Sequence, residues 1–158
     1  VNTIDVRIRL AEGGDFEAIV SLINANFPND PPIDKETIAS WIADGGHLIV
    51  AAAPHGVVGF VRMDSERRGL FHLAVVPELR NQGLGRLLVA NVEDSARQLG
   101  WLHVLLGVDN ATPGLVGYYE SLGYNLRADV QPIVAADGSE DPVRKLIMME
   151  KILLLPSA

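Results

Sequence analysis

Cysteine is absent from all 158 residues. Its absence excludes disulfides, thiolate nucleophiles, cysteine-held iron–sulfur clusters and cysteine-bearing zinc sites. Histidine is scarce. The four, His47, His55, His72 and His103, stand far apart with no HExxH-type spacing, so no metal is expected. No apolar run approaches the ~18 residues of a spanning helix. The opening VNTIDVRIRL also lacks the apolar core of a secretion signal. No membrane partner is expected, and the expected address is the cytoplasm. Basic charge is in deficit, 13 Lys+Arg against 20 Asp+Glu, for a net charge of -7. Such a balance argues against a nucleic-acid partner, which needs concentrated Lys and Arg, and if anything favours a cationic one. Hydrophobic residues make up 48% of the chain, enough for a core, and no linker marks a join. One domain, 1–158, is expected.

The apolar pattern lays out an alternation of strands and helices. Ile4, Val6, Ile8 and Leu10 alternate with charged residues as in a half-buried strand. Asp15 is placed to cap a helix carrying Phe16, Ile19, Val20, Ile23 and Phe27, which stops at Pro28. A short helix follows from Asp34 to Gly45-Gly46. HLIVAAA (47–53) and VVGFVRM (57–63) predict an antiparallel hairpin, and Leu70–Val76 a third strand closed by Pro77. A long helix is predicted from Gly83 to Leu99. Its inner face is Leu84, Leu87, Leu88, Asn91, Val92, Ser95 and Leu99, and Arg86, Glu93, Asp94 and Arg97 meet water. Strand 102–108 reads as covered on both faces. Thr112 is predicted to cap a helix running to Leu122, with Pro113 at its first position. Tyr124–Val130 reads as a strand, 131–142 as a polar loop turning at Asp137-Gly138, and 143–153 as the last strand.

The informative stretch lies between the third strand and the long helix. A strand stops at proline, a polar turn follows, and Gly83 and Gly85 lead into the helix. Glycine permits close approach to the backbone, and first-turn amides have no helical partner. Amides converging at a positive helix end make a phosphate or pyrophosphate site, which Arg80 and Arg86 flank. The dinucleotide fingerprint fails because Leu88 stands where its third glycine belongs, and no Walker A lysine is present. Taken alone, the two glycines also suit a tight helix start.

Arg80-x-x-Gly83-x-Gly85 after Val-Pro resembles the acyl-coenzyme A signature of the GCN5-related N-acetyltransferase (GNAT) family. Tyr119-Glu-Ser-Leu-Gly-Tyr124 resembles the family's "YexlGF" segment, and the terminal MMEK its last strand. Order and spacing match from residue 4 to about 153. The resemblance implies an α/β, acyl-CoA N-acyltransferase fold, with a central mixed, mostly antiparallel sheet of about seven strands flanked by about four helices. It implies acetyl transfer from the cosubstrate acetyl-CoA to a primary amine within a ternary complex.

On that resemblance, Asn81, Gln82, Gly83, Leu84, Gly85 and Arg86, with Arg80, hold the CoA pyrophosphate, and Leu73 and Val75 meet the pantetheine. The pantetheine would lie in a splay between the strands ending near Val75 and Val108, and the Val75 amide would polarise the thioester carbonyl. Tyr119 is the implied general acid to the departing thiolate. Gly107 stands where some ribosomal-protein acetyltransferases of the family have a glutamate base. His72, with a side chain suited to neutral pH, is the substitute candidate, beside the plainer role of a structural histidine. Many members place asparagine seven residues before the tyrosine. Here Thr112 stands there, with Asn110 two residues earlier, and Thr112 is the candidate for both cofactor contact and capping.

Acceptor recognition is expected in 24–33, 64–69 and 128–142. Phe27, Trp41 and Tyr118 are candidates for the pocket, although Phe27 and Trp41 also suit simple packing. The expected partner is an amine-bearing small molecule or a peptide or protein amine, and a homodimer is expected. The alternatives are a noncatalytic acyl-CoA-binding or regulatory protein and an acyltransferase for longer acyl chains.

Overall fold

The computed structural model describes residues 5–135 and 137–154. Ile4, with which the first expected strand opens, lies outside them, as does the tail beyond Leu154. The chain divides into two compact units, Val1–Ser95 and Ala96–Ala158. Among the described residues, no helix is long and apolar enough to cross a membrane.

The first unit is an antiparallel sheet in the order β1-β2-β3-β4, comprising Arg7–Leu10, His47–Ala53, Gly56–Asp64 and Gly69–Val75. Two helices, α1 (Phe16–Asn26) and α2 (Lys35–Ala43), separate β1 from β2. Their apolar stripes supply Ile19, Leu22, Ile23 and Ile38 to a core closed by Leu48, Val50, Phe60 and Ala74. Each of the Ile, Leu, Val and Phe side chains among them, fully buried, contributes on the order of 1.5–3 kcal/mol. Phe27 and Trp41 pack against the same cluster.

Two local expectations in this unit change. Leu10 is 63% exposed, because β1 is the outer strand and Leu10 is its last residue. Asp15 precedes α1 but does not cap it with its side chain. Its carboxylate instead accepts from the Arg9 guanidinium at 2.7 and 3.1 Å and from the Glu12 amide at 2.8 Å. The Arg9 bond holds the Asp15 carboxyl below the usual carboxylate range. By contrast, Asp34, where the second helix is expected to begin, caps α2, accepting from the Thr37 amide at 3.0 Å.

Helix α3 (Leu84–Gln98) matches its expected span, but its buried face is rotated. Leu84, Leu88, Val89, Val92 and Ala96 are buried, and Glu93 is only 7% exposed, whereas Leu87 is 52% exposed. Leu99, also expected on the inner face, is exposed just beyond the helix. Gly59 helps explain the rotation, since a Cβ there would meet Leu88 Cδ1 at 3.1 Å and Ala51 Cβ at 3.3 Å. The missing side chain is the notch that receives Leu88 on β3.

The second unit orders its strands β5-β7-β6, antiparallel, as His103–Asp109, Glu140–Ile152 and Asn125–Val134. Helix α4 (Gly114–Ser121) lies between β5 and β6. Strand β5 alternates buried Val104, Leu106 and Val108 with half-buried residues, so it is not evenly covered on both faces. The expected loop 131–142 is mostly strand: Gln131 pairs with Leu146, Pro132 with Lys145 and Val134 with Glu140. Proline is tolerated because β6 is the outer strand, where one N–H has no neighbour to serve. Strand β6 runs to Val134 and β7 starts at Glu140, and the expected glycine, Gly138, stands between them at φ 85°. Tyr124, Met148 and Met149 are all buried, as packing residues.

Candidate active site

In the first unit, β4 does not run straight. Phe60 pairs with Ala74 but Arg62 with Phe71, so β4 carries one more residue than β3 across that interval. His72 sits in this bulge at φ 57°, a left-handed conformation rare for a side chain with a Cβ. Nothing local in the sequence announces it. The bulge sets the imidazole against α2 and the end of α1. It stacks on Trp41 with centroids 5.0 Å apart and meets Phe27 edge-on at 5.5 Å. Its Nδ1 is buried without a hydrogen-bond partner. Burial first, and Arg62 second, lower its pKa from 6.5 to about 4.

Beyond Val75 the chain makes a 3-10 turn, Pro77–Leu79, then passes through Asn81 at φ 63° and Gly83 at φ 87° into α3. The Leu87 amide donates to the Gly83 carbonyl at 3.0 Å. The amides of Leu84, Gly85 and Arg86 therefore stand ahead of the helical ladder, as an anion site needs. Two left-handed residues this close to a helix start turn the backbone so that successive N–H groups face one side. Leu73, Val75 and residues 80–86 are thus consecutive along a bulged strand and its exit turn. Arg86 is exposed. Arg80 is held: its Nη2 donates to Asn26 Oδ1 at 2.7 Å and its Nε to the Val75 carbonyl at 3.4 Å.

The second unit holds Tyr119 and Thr112. Tyr119, on α4, is 8% exposed and touches the rings of Tyr118 at 5.2 Å and Tyr124 at 6.0 Å, both edge-on. Burial, and then Tyr118, push its phenol above the ordinary value. The shift leaves the hydroxyl protonated at neutral pH, as any phenol is, and makes it a weaker acid than a free tyrosine. Thr112 does not cap α4. Its hydroxyl donates backward to the Asp109 carbonyl at 3.2 Å, and Pro113, not Thr112, occupies the capping position. Asn110 Oδ1 accepts from the Lys145 amide at 3.2 Å and is spent on joining β5 to β7. Gly107 pairs with Met148, and a Cβ there would meet Leu146 Cβ and Cδ1 at 3.1 Å. Leu146 fills the space beside residue 107.

Sequence reasoning missed Asn26, which grips Arg80, and Arg62, which neighbours His72. No motif marks either. The signal that existed was a lone arginine in an otherwise apolar strand.

Among the described residues, seven strands and four α-helices in this order, with an anion-type turn between the fourth strand and the third helix, define the α/β acyltransferase class. The chain belongs to the acetyltransferase (GNAT) domain family, whose model matches residues 24–140. It is 35% identical over 89 residues to human N-acetyltransferase 8B, covering 53% of this chain and 37% of that protein. It is 35% identical over 77 residues to the [ribosomal protein bS18]-alanine N-acetyltransferase of Escherichia coli strain K12, covering 47% of this chain and 51% of that one. The matched stretch thus spans well under two thirds of either relative. In structure the chain resembles the ribosomal-protein-S18-alanine N-acetyltransferase from Escherichia coli, with TM-score 0.75, 23% identity and 97% coverage of both chains. It also resembles ribosomal-protein-alanine N-acetyltransferase from Brucella melitensis, with TM-score 0.73, 23% identity and coverage of 93% and 99%. The expected fold class, a mixed, mostly antiparallel sheet with helices on it, is borne out by these likenesses.

Proposed function

We propose that the whole chain, 1–158, acts as one N-acetyltransferase domain that moves the acetyl group of acetyl-CoA directly to a primary amine. The single observation that supports this most is the exit from β4: a bulged strand, left-handed Asn81 and Gly83, and three leading amides of α3. Family membership supports the same reading.

On this reading the amides of residues 82–86 and Arg86 hold the pyrophosphate, and Arg80 braces the turn. Leu73 and Val75 offer backbone groups to the pantetheine. The acceptor nitrogen attacks the thioester carbonyl, a C–N bond forms, the C–S bond breaks, and the thiolate takes the Tyr119 proton. The nitrogen loses its own proton to His72, directly or through water. Held near 4 by burial first and Arg62 second, His72 is neutral at physiological pH but a weak base, and an acceptor that neutralises Arg62 would ease only the smaller of the two effects. Thr112, no longer a cap, keeps a hydroxyl oxygen able to accept from the cofactor. A cytoplasmic homodimer completes the reading.

Thiol release in an Ellman assay tests it cleanly, because the chain has no cysteine of its own to react. Amine-dependent CoA release is expected. CoA binding without transfer to any amine would favour the noncatalytic alternative.

A further inference from the structure

Arg62 is a cation with little to do for the protein. Its side chain is only 14% exposed, and its Nε–H is buried with no hydrogen-bond partner. Its guanidinium lies 4.5 Å from the Trp41 ring centroid and 5.1 Å from that of Phe71. The facing carboxylate, Asp64, is 3.7 Å from Nη1, beyond hydrogen-bond length. Asp64 is shared as well, accepting from the Arg67 amide at 3.0 Å and standing 3.9 Å from Arg67 Nε. Burial, and to a lesser degree Arg67, lower the Arg62 pKa against the opposing fields of Asp64 and Asp44, so the charge is costly where it sits. A planar, half-desolvated guanidinium stacked on an indole, with its donors unspent, is preorganised for a planar carboxylate.

A second polar group waits beside it. His72 is stacked on the same Trp41 ring and leaves Nδ1 buried and unpartnered. Arg62 Nε and His72 Nδ1 are both buried without a partner, and native interiors rarely leave such atoms unmet. Phe27, from the 24–33 segment, and Arg62, two residues before the 64–69 turn, bound this patch. Both segments are those expected to read the acceptor.

Taking the chain as an acetyltransferase, we infer that Arg62, stacked on Trp41 beside His72, receives a carboxylate of the acceptor. The acetylated amine then belongs to an amino-acid-like molecule rather than to a polyamine, an assignment that rests on that reading. Here the guanidinium fork of Arg62, with Asp64 and Asp44 also near it, decides against the acidic balance of the whole chain, which alone points to a cationic partner.

The test compares matched acceptors, the common α-amino acids against their primary amides, with putrescine and spermidine alongside, at saturating acetyl-CoA. For the best-turned-over acid, kcat/KM is expected to exceed that of its amide at least tenfold. Arg62→Gln should lower the acid's value at least tenfold and the amide's less than threefold, collapsing the ratio. Arg62→Lys, which keeps the charge but not the fork, should fall between, and serves if the glutamine variant does not fold. Amides or polyamines outrunning every acid, no acid being acetylated, or an acid preference that survives both variants would overturn the assignment. Polyamine turnover would leave the acetyltransferase reading standing. Failure of CoA to bind in isothermal titration would remove that reading, and this assignment with it.

Discussion

Arg80 and Asn26 are 54 residues apart in sequence and joined by a 2.7 Å hydrogen bond. The bond ties the exit of β4 to the last residue of α1. Arg80 had been expected to face the pyrophosphate directly. Its bonds to Asn26 and to the Val75 carbonyl make it first a brace for the turn that does so. Asn26→Ala should therefore raise KM for acetyl-CoA roughly fivefold, about 1 kcal/mol, with kcat little changed. The same substitution in an Arg80→Ala background should add almost nothing, a double-mutant cycle that steady-state kinetics can close.

Gly83 adopts φ 87° with no atom near the place a Cβ would occupy. Strain, not collision, is what Gly83→Ala should introduce, about 1–2 kcal/mol. The chain can relieve it by moving the leading amides of α3. Calorimetric titration with CoA should show weakened binding alongside a modest loss in melting temperature. Unchanged CoA affinity would remove the turn from the cofactor site.

Tyr119→Phe keeps the ring against Tyr118 and Tyr124 and removes the hydroxyl. It should lower kcat by about a hundredfold with KM for acetyl-CoA nearly unchanged. Single-turnover rates are the measurement to use, so that product release does not mask the step.

The lowered pKa of His72 carries a signed prediction for stability. Above 6.5 both folded and unfolded chains hold it neutral and it contributes no pH dependence. As pH falls from 6.5 towards about 4, only the unfolded state binds the proton, and stability is lost. The full loss is on the order of 3 kcal/mol, complete once pH is below the folded value. Denaturant unfolding of His72→Gln between pH 7 and 4 should show a shallower decline than the parent. Identical slopes would place the imidazole in contact with water.

A glutamate introduced at residue 107 should fail to act as the base. Gly107→Glu drives its Cβ into Leu146 at 3.1 Å, and overpacking of this kind costs about 1–3 kcal/mol. Lower stability with no gain in kcat is the expected outcome. A faster enzyme would reassign the base to β5.

Most of the architecture was legible because it is written in short periods. The stripe Phe16–Ile19–Ile23, the hairpin at Pro54-His55-Gly56, and the glycines after α2, α3 and α4 are local signals. What escaped was set at long range. Leu146 covers Gly107 from 39 residues away along the chain, and the α3 face was turned by a notch at Gly59 rather than by its own pattern. Residues 131–134 look like loop because Gln131 and Pro132 are poor strand formers, yet pairing with Leu146 and Lys145 decides the matter. In the candidate site the turn and Tyr119 were visible as motifs. Arg62 and the His72 bulge were not, since burial without a partner cannot be seen in a string of letters.

Strand β6 has one further consequence. On its open side Pro132 presents no N–H, and the pairing with β7 slips between Leu126 and Val130, where Arg127 and Asp129 close on each other at 2.9 Å. An incoming strand would find the ladder interrupted twice within ten residues. This border resists being templated by a second copy or by an unfolded neighbour. Any self-association on this side has to be negotiated through side chains, and the protein should stay dispersed at concentrations where a clean edge would seed aggregates.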